Sequence, residues 1–170
     1  MTAVGGSVLS PLATRAARGA DPKRGGTFKV LQTEPAVGFN PVLEGNNFPE
    51  VMRMVYNGLT DMSPNGELVP GVARSWTVSP EGDTYTFQLQ PGVMFQDGKE
   101  LTAADVKFTF ESIIDPKTGS PLLGYVPNLK TVETPNKYTA VFRLNGPNVL
   151  MMPGISQLGI LPKHLWENTD

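Results

Sequence analysis

A mixed α+β fold built from short elements is what the sequence predicts, and three observations predict it. Eighteen Gly and 16 Pro fall among 170 residues, against roughly 12% for the two together in an average chain, so turns outweigh long helices. Three stretches alternate apolar and polar residues on either side of turn-forming clusters, the pattern of antiparallel hairpins. Two further stretches place apolar residues three and four apart, the pattern of an amphipathic helix.

In chain order, residues 1–24 are dominated by small residues, with no aromatic and no acidic side chain before Asp21. They read as the remnant of an export leader or as a flexible tail, since no basic segment precedes the weakly apolar run after Val4. Gly25–Thr33 is a strand candidate behind a Gly-Gly hinge, and Glu34–Asn47 is a 14-residue loop of the long kind that often carries function. Asn47 suits a helix N-cap, with Pro49 and Glu50 in the first turn. Val51, Met54, Val55 and Leu59 then share one predicted face, and Met52 signals nothing by itself.

Leu59–Val69 forms the first predicted hairpin around Asn65-Gly66. Ser75–Ser79 and Thr84–Leu89 form the second, with Trp76, Val78, Tyr85, Phe87 and Leu89 toward a core. Thr102 and Asp105 mark the start of a helix whose stripe is Val106, Phe110, Ile113 and Ile114, and Asp115-Pro116 ends it. The third hairpin turns at Pro135-Asn-Lys137, between Leu129–Thr134 and Tyr138–Leu144. A short helix through Leu150–Met152 and a helix start near His164 complete the chain.

The chemistry is sparse. There is no Cys and a single His, which excludes disulfides, thiolate metal sites and Cys nucleophiles. His164 has no Gly-x-Ser-x-Gly partner and reads as a surface or packing residue. Asp61, Glu67, Glu81 and Asp83 lie in or beside turns, where carboxylates are ordinarily solvated. No phosphate-binding or dinucleotide fingerprint is present, and a net charge of −2 offers nucleic acid no attraction. An enzyme is therefore not expected, nor a cofactor or a resident metal.

Five fragments in fixed order carry a resemblance: Val55-Tyr-Asn-Gly-Leu59, Leu68-Val-Pro-Gly-Val-Ala-Arg-Ser-Trp76, Ser79-Pro-Glu-Gly-Asp-Thr-Tyr-Thr-Phe87, Gly92-Val-Met-Phe-Gln-Asp-Gly98 and Leu101-Thr-Ala-Ala-Asp-Val106. Together they resemble the family 5 extracellular solute-binding proteins, the dipeptide, oligopeptide and nickel receptors of ABC importers. Gln90 and Gln96 stand where that pattern commonly has a basic residue and a His, and both read as surface changes.

The resemblance implies a type II periplasmic-binding-protein architecture of two lobes that close on a ligand, with this chain as an N-terminal portion of the first lobe. Under it, residues 1–24 are leader remnant or tail, 25–47 the first strand and cleft loop, 48–144 an inserted α+β subdomain, and 145–170 the start of the return into the lobe. It implies ligand contacts from Glu44, Gly45, Asn46 and Asn47 in the cleft loop, and from Ser156 and Gln157 in the return segment. The same loops could instead need Asn and Gly only for their turns. The implied ligand is a di- or oligopeptide or another small polar solute, and the implied partners are ABC permease subunits. The full-length protein would be periplasmic and monomeric. A nickel-chelate or oligosaccharide receptor, or a small secreted interaction module without a transport role, remains the alternative. A partial lobe cannot close on a ligand, so weak or undetectable solute binding is expected of these 170 residues.

Overall fold

The computed structural model describes residues 25–27, 29, 38, 40–44 and 49–168. The chain divides into two units, Met1–Thr33 and Glu34–Asp170. Nearly all of the first unit, the strand expected there included, lies outside the described residues, as do the proposed cap Asn47 and most of the loop before it.

The second unit opens with two short helices, α1 (Pro41–Glu44) and α2 (Pro49–Val55). A small hairpin follows, β1 (Thr60–Met62) with β2 (Leu68–Pro70), paired Met62 to Leu68. Its turn is longer than the two-residue type that Asn65-Gly66 suggests. Gly66 N–H donates to Ser63 O at 2.9 Å and Ser63 N–H to Glu67 O at 2.8 Å. Gly66 takes the left-handed conformation, φ 80°, as the bulge after a three-residue turn requires.

Strands β3 (Ala73–Val78), β4 (Thr84–Leu89), β5 (Leu129–Asn136) and β6 (Thr139–Leu144) form one antiparallel sheet in the order β3-β4-β6-β5. The second and third hairpins are thus halves of one sheet, joined where β4 pairs β6, with Tyr85 opposite Phe142 and Phe87 opposite Ala140. Helix α3 (Ala103–Ile114) connects the halves and lies across one sheet face. Tyr85, Phe87, Leu89, Val132, Ala140 and Phe142 from the sheet meet Val106, Phe110 and Ile113 from α3 in the core. Phe142 is central, its ring 5.1 Å from Phe87 and 4.7 Å from Phe110, both edge to face.

Some expectations need correction. Helix α2 ends at Val55, and Leu59 is buried from the segment leading into β1 rather than from the helix. The inward face therefore carries Met52, which is buried, while Met54 is exposed. The expected face borrowed a residue from the next element, which rotated it. Val78 also faces outward more than its alternation suggests, because β3 is a sheet edge with no strand beyond it. The third hairpin turns later than expected: β5 runs through Pro135 to Asn136 by way of a bulge, and only Lys137-Tyr138 make the turn.

The α3 start is built as expected and does more than cap a helix. The Asp105 carboxylate accepts from Thr102 N–H at 2.8 Å and from the Thr102 hydroxyl at 2.9 Å. Its second oxygen accepts from Lys163 N–H at 2.9 Å. One turn on, Thr109 Oγ1 donates to Asp105 O and accepts from Leu161 N–H at 2.9 Å. Asp105 and Thr109, both buried, thus hold the returning chain against α3. Before that return come a 3₁₀ turn (Pro121–Tyr125) and helix α4 (Met151–Ile155), and after it α5 (Lys163–Trp166). Ser120 caps the 3₁₀ turn and donates to Val42 O at 2.5 Å, which fixes α1.

At the far end of the sheet, Glu100 accepts from Lys137, from the Tyr138 hydroxyl at 2.7 Å and from Gly92 N–H at 2.9 Å. These partners, Lys137 first, hold its carboxyl down to about 2. A folded-state pKa below the unfolded one stabilises the fold above the ordinary glutamate range, and that contribution fades as pH falls toward 2. We expect Glu100→Gln to flatten the decline in urea midpoint between pH 4.5 and pH 2 relative to the wild type. Parallel midpoint curves for the two proteins would show that the Glu100 cluster does not couple folding to pH.

Candidate ligand-binding site

A cavity of about 390 Å3 opens between α1, α2, the β1–β2 hairpin and the segment after α4. Its walls combine apolar side chains, among them Val42, Met52, Val72, Ile113, Leu122 and Leu158, with a polar group formed by Arg53, Tyr56, Asn57, Thr60, Asp61 and Gln90. A half-apolar hollow with a few convergent polar groups is the usual form of a small-molecule site.

Backbone close packing makes this hollow possible. Gly58, Gly71 and Gly159 all line it. The strand-like run Asn57–Leu59 is gripped from both sides: Val72 N–H donates to Gly58 O at 2.9 Å and Ile160 N–H to Asn57 O at 3.0 Å. A Cβ on Gly71 would lie 2.6 Å from Gly58 O, and one on Gly159 would overlap the Tyr56 side chain. Glycine at these positions lets three backbone segments meet without filling the hollow in front of them.

The polar wall is largely paired. Arg53 and Asp61 form an ion pair at the exposed rim. Gln90 Nε2 donates to Gly71 O at 2.7 Å. Burial pushes the Tyr56 phenol above its usual pKa range, which keeps it neutral. Among the described residues, the one buried side-chain polar atom without a hydrogen-bond partner is Oγ1 of Thr60, a residue 1% exposed.

Of the site residues the sequence suggested, Ser156 and Gln157 both line this cavity. The Ser156 hydroxyl is already given to Pro153 O at 2.8 Å, so its side chain serves the end of α4 first. Gln157 is exposed and reaches the same carbonyl only at 3.5 Å. Glu44 closes α1, the helix whose Pro41 and Val42 form one wall. Gly45, Asn46 and Asn47 lie outside the described residues.

Arg53, Asn57, Thr60 and Asp61 were missed. Asp61, expected as a solvated carboxylate in or beside a turn, is exposed as expected but sits on β1 and pairs with Arg53. Asp83 likewise accepts from the Ser79 hydroxyl at 3.0 Å and the Thr84 hydroxyl at 2.9 Å. Alternation gives no signal for Thr60, because Leu59 and Thr60 are both buried while Asp61 and Met62 are both exposed. His164 is a packing residue as expected, its Nε2 2.5 Å from Asp97 Oδ2 and its ring at the edge of Phe95. Gln96 and Gln90, read as surface changes, are exposed but each amide donates to a backbone carbonyl, Gln96 to Val55 O at 2.6 Å. No group of three or more potential metal-ligating side chains occurs among the described residues.

Comparison with known proteins places this arrangement. Residues 67–170 match the model of the bacterial extracellular solute-binding proteins, family 5 Middle. The chain is 34% identical over 128 residues to di/tripeptide-binding protein 1 of Pseudomonas aeruginosa, covering 64% of this chain and 24% of that protein. It superposes on the Campylobacter jejuni protein NikZ, solved in complex with Ni(L-His), with a TM-score of 0.75 and 32% identity over 81% of this chain and 27% of that one. The oligopeptide-binding protein AppA of Bacillus subtilis, in complex with a nonapeptide, gives a TM-score of 0.72 and 27% identity over 78% of this chain and 27% of that one. The chain therefore spans about a quarter of the length of each of these relatives. All three are binding proteins rather than enzymes, and the shared mixed α/β fold with antiparallel sheets is that of the type II periplasmic binding proteins. On the match over residues 67–170, the chain belongs to the family 5 bacterial extracellular solute-binding proteins.

Proposed function

We propose that this chain is the N-terminal, ligand-facing part of the first lobe of an extracytoplasmic receptor that captures di- or oligopeptides for an ABC importer. The observation that carries the reading is the match of residues 67–170 to the family model. The Pseudomonas relative, named for di- and tripeptides, favours peptides among the ligands. A nickel-chelate receptor is the second reading, favoured by the likeness to a protein solved with Ni(L-His).

The mechanism is capture by closure. A ligand touching both lobes binds the closed form more tightly than the open one and shifts the population toward it by that difference. The permease subunits then recognise the closed form. In this reading the cavity beside Ser156 and Gln157 is part of the first lobe's ligand-facing surface, with Glu44–Asn47 completing it. No helix among the described residues is long and apolar enough to cross a membrane, and the receptor acts on the outer side of the inner membrane as a monomer.

The test is fractionation of the source cells followed by an immunoblot with antibody to the purified chain. The expected result is an extracytoplasmic band several times heavier than 18.3 kDa. A cytosolic band, or one at 18.3 kDa or below, would displace the receptor in favour of a small interaction module.

A further inference from the structure

Among the described residues, Thr60 alone buries a side-chain polar atom that has no hydrogen-bond partner. A hydroxyl shut away from water without a partner destabilises the protein that contains it, and this one belongs to the cavity wall. Its neighbours are occupied: Arg53 with Asp61, Gln90 with Gly71 O and Ser156 with Pro153 O. Asn57, exposed and lining the same cavity, carries a side-chain amide with no partner among the described residues.

We infer that Thr60 and Asn57 form a subsite for a neutral hydrogen-bonding group of the solute, of which a carboxamide is the best fit. A hydroxyl and an amide each donate and accept, so together they satisfy a group that also does both. A carboxylate or ammonium group fits poorly. The charges at the rim, Arg53 and Asp61, already neutralise one another, and a buried ion without a counter-charge is strongly disfavoured. The walls formed by Met52, Val72 and Leu158 suit the apolar flanks of a small amide. Because the Thr60 hydroxyl has no partner, turning it toward the cavity about the Cα–Cβ bond forfeits no hydrogen bond. Which molecule presents the amide rests on the receptor reading above, whereas the chemistry of the subsite does not.

The test is a titration of the 15N-labelled 170-residue chain with N-methylacetamide, followed by amide chemical shifts. Saturable shifts are expected at Thr60 and Asn57. Thr60→Val should weaken binding about fivefold, the size of one neutral hydrogen bond, and Thr60→Ser should preserve it. The Val variant should melt no lower than the wild type, because it removes an unpaired buried hydroxyl. A lower melting temperature with unchanged affinity would make the hydroxyl structural and overturn the proposal. If the Val variant does not fold, the wild type decides alone. Equal or tighter binding of acetate, or of 2-methyl-2-butene as a hydrocarbon of the same shape, overturns the subsite, as does the absence of any saturable shift. Amide binding with a cytosolic immunoblot band would remove the receptor and keep the subsite, and the reverse pair of results would do the opposite.

Discussion

Phe142→Ala is expected to lower the stability of the Glu34–Asp170 unit by about 4 kcal/mol, the usual loss for a buried Phe truncated where its surroundings cannot collapse. Phe142 is 0% exposed and stands on an inner strand between Tyr85 and Val132. Its ring makes edge contacts with Phe87 and Phe110, so removing it loosens the sheet and α3 together. Strands on both sides of β6 are tied by their ladders and cannot move in to fill the space. Out of a total stability of about 5–15 kcal/mol, such a loss is a large share. It should lower the melting temperature by roughly 10 °C. Val141→Ala, one residue along on the opposite sheet face, is the control and should cost about 1 kcal/mol or less. Similar urea midpoints for the two variants would show that the core is not centred on Phe142.

Gly154→Ala should also destabilise, although helix propensity alone argues the opposite sign. In a free helix the change to Ala gains about 1 kcal/mol. Here α4 lies against the 3₁₀ turn, and a Cβ on Gly154 would overlap the carbonyl of Tyr125, a backbone group that no rotamer change can clear. Separating the two elements should outweigh the propensity gain and leave a net loss of about 2 kcal/mol. Ser156 and Gln157 lie two and three residues after Gly154, so the same shift should move their amide resonances and those of Leu158 at the cavity wall. A stabilised variant with unmoved resonances would mean that α4 stands off the 3₁₀ turn in solution.

The sheet and α3 were legible in the sequence because each carries its own period over six or more residues. Tyr85, Phe87 and Leu89 alternate inward as read, and Val106, Phe110 and Ile113 face the sheet as read. Short elements were less legible. Over the seven residues of α2, a single borrowed position was enough to turn the face from Met52 to Met54. The pairing of β4 with β6 was not legible at all, since it joins strands 55 residues apart and depends on α3 crossing between them. The site divides the same way. Ser156 and Gln157 came from resemblance and do line the cavity. Thr60 and the Arg53–Asp61 pair depend on α2, β1 and the return segment meeting in space, which no local pattern records.

The returning chain is located by its peptide groups. Ile160 donates its N–H to Asn57 O, Leu161 to Thr109 Oγ1 and Lys163 to Asp105 Oδ1. None of these bonds reads the identity of the residue that donates. The segment carrying Ser156 and Gln157 thus runs into a fixed main-chain seat, and the side chains facing the hollow are left free of that duty. A scaffold of this kind can exchange residues along its cavity-lining stretch and change the character of the hollow without changing where the stretch lies. The fixed points are two side chains on α3 and the Asn57 carbonyl, and variation is left to the neighbours that they do not touch.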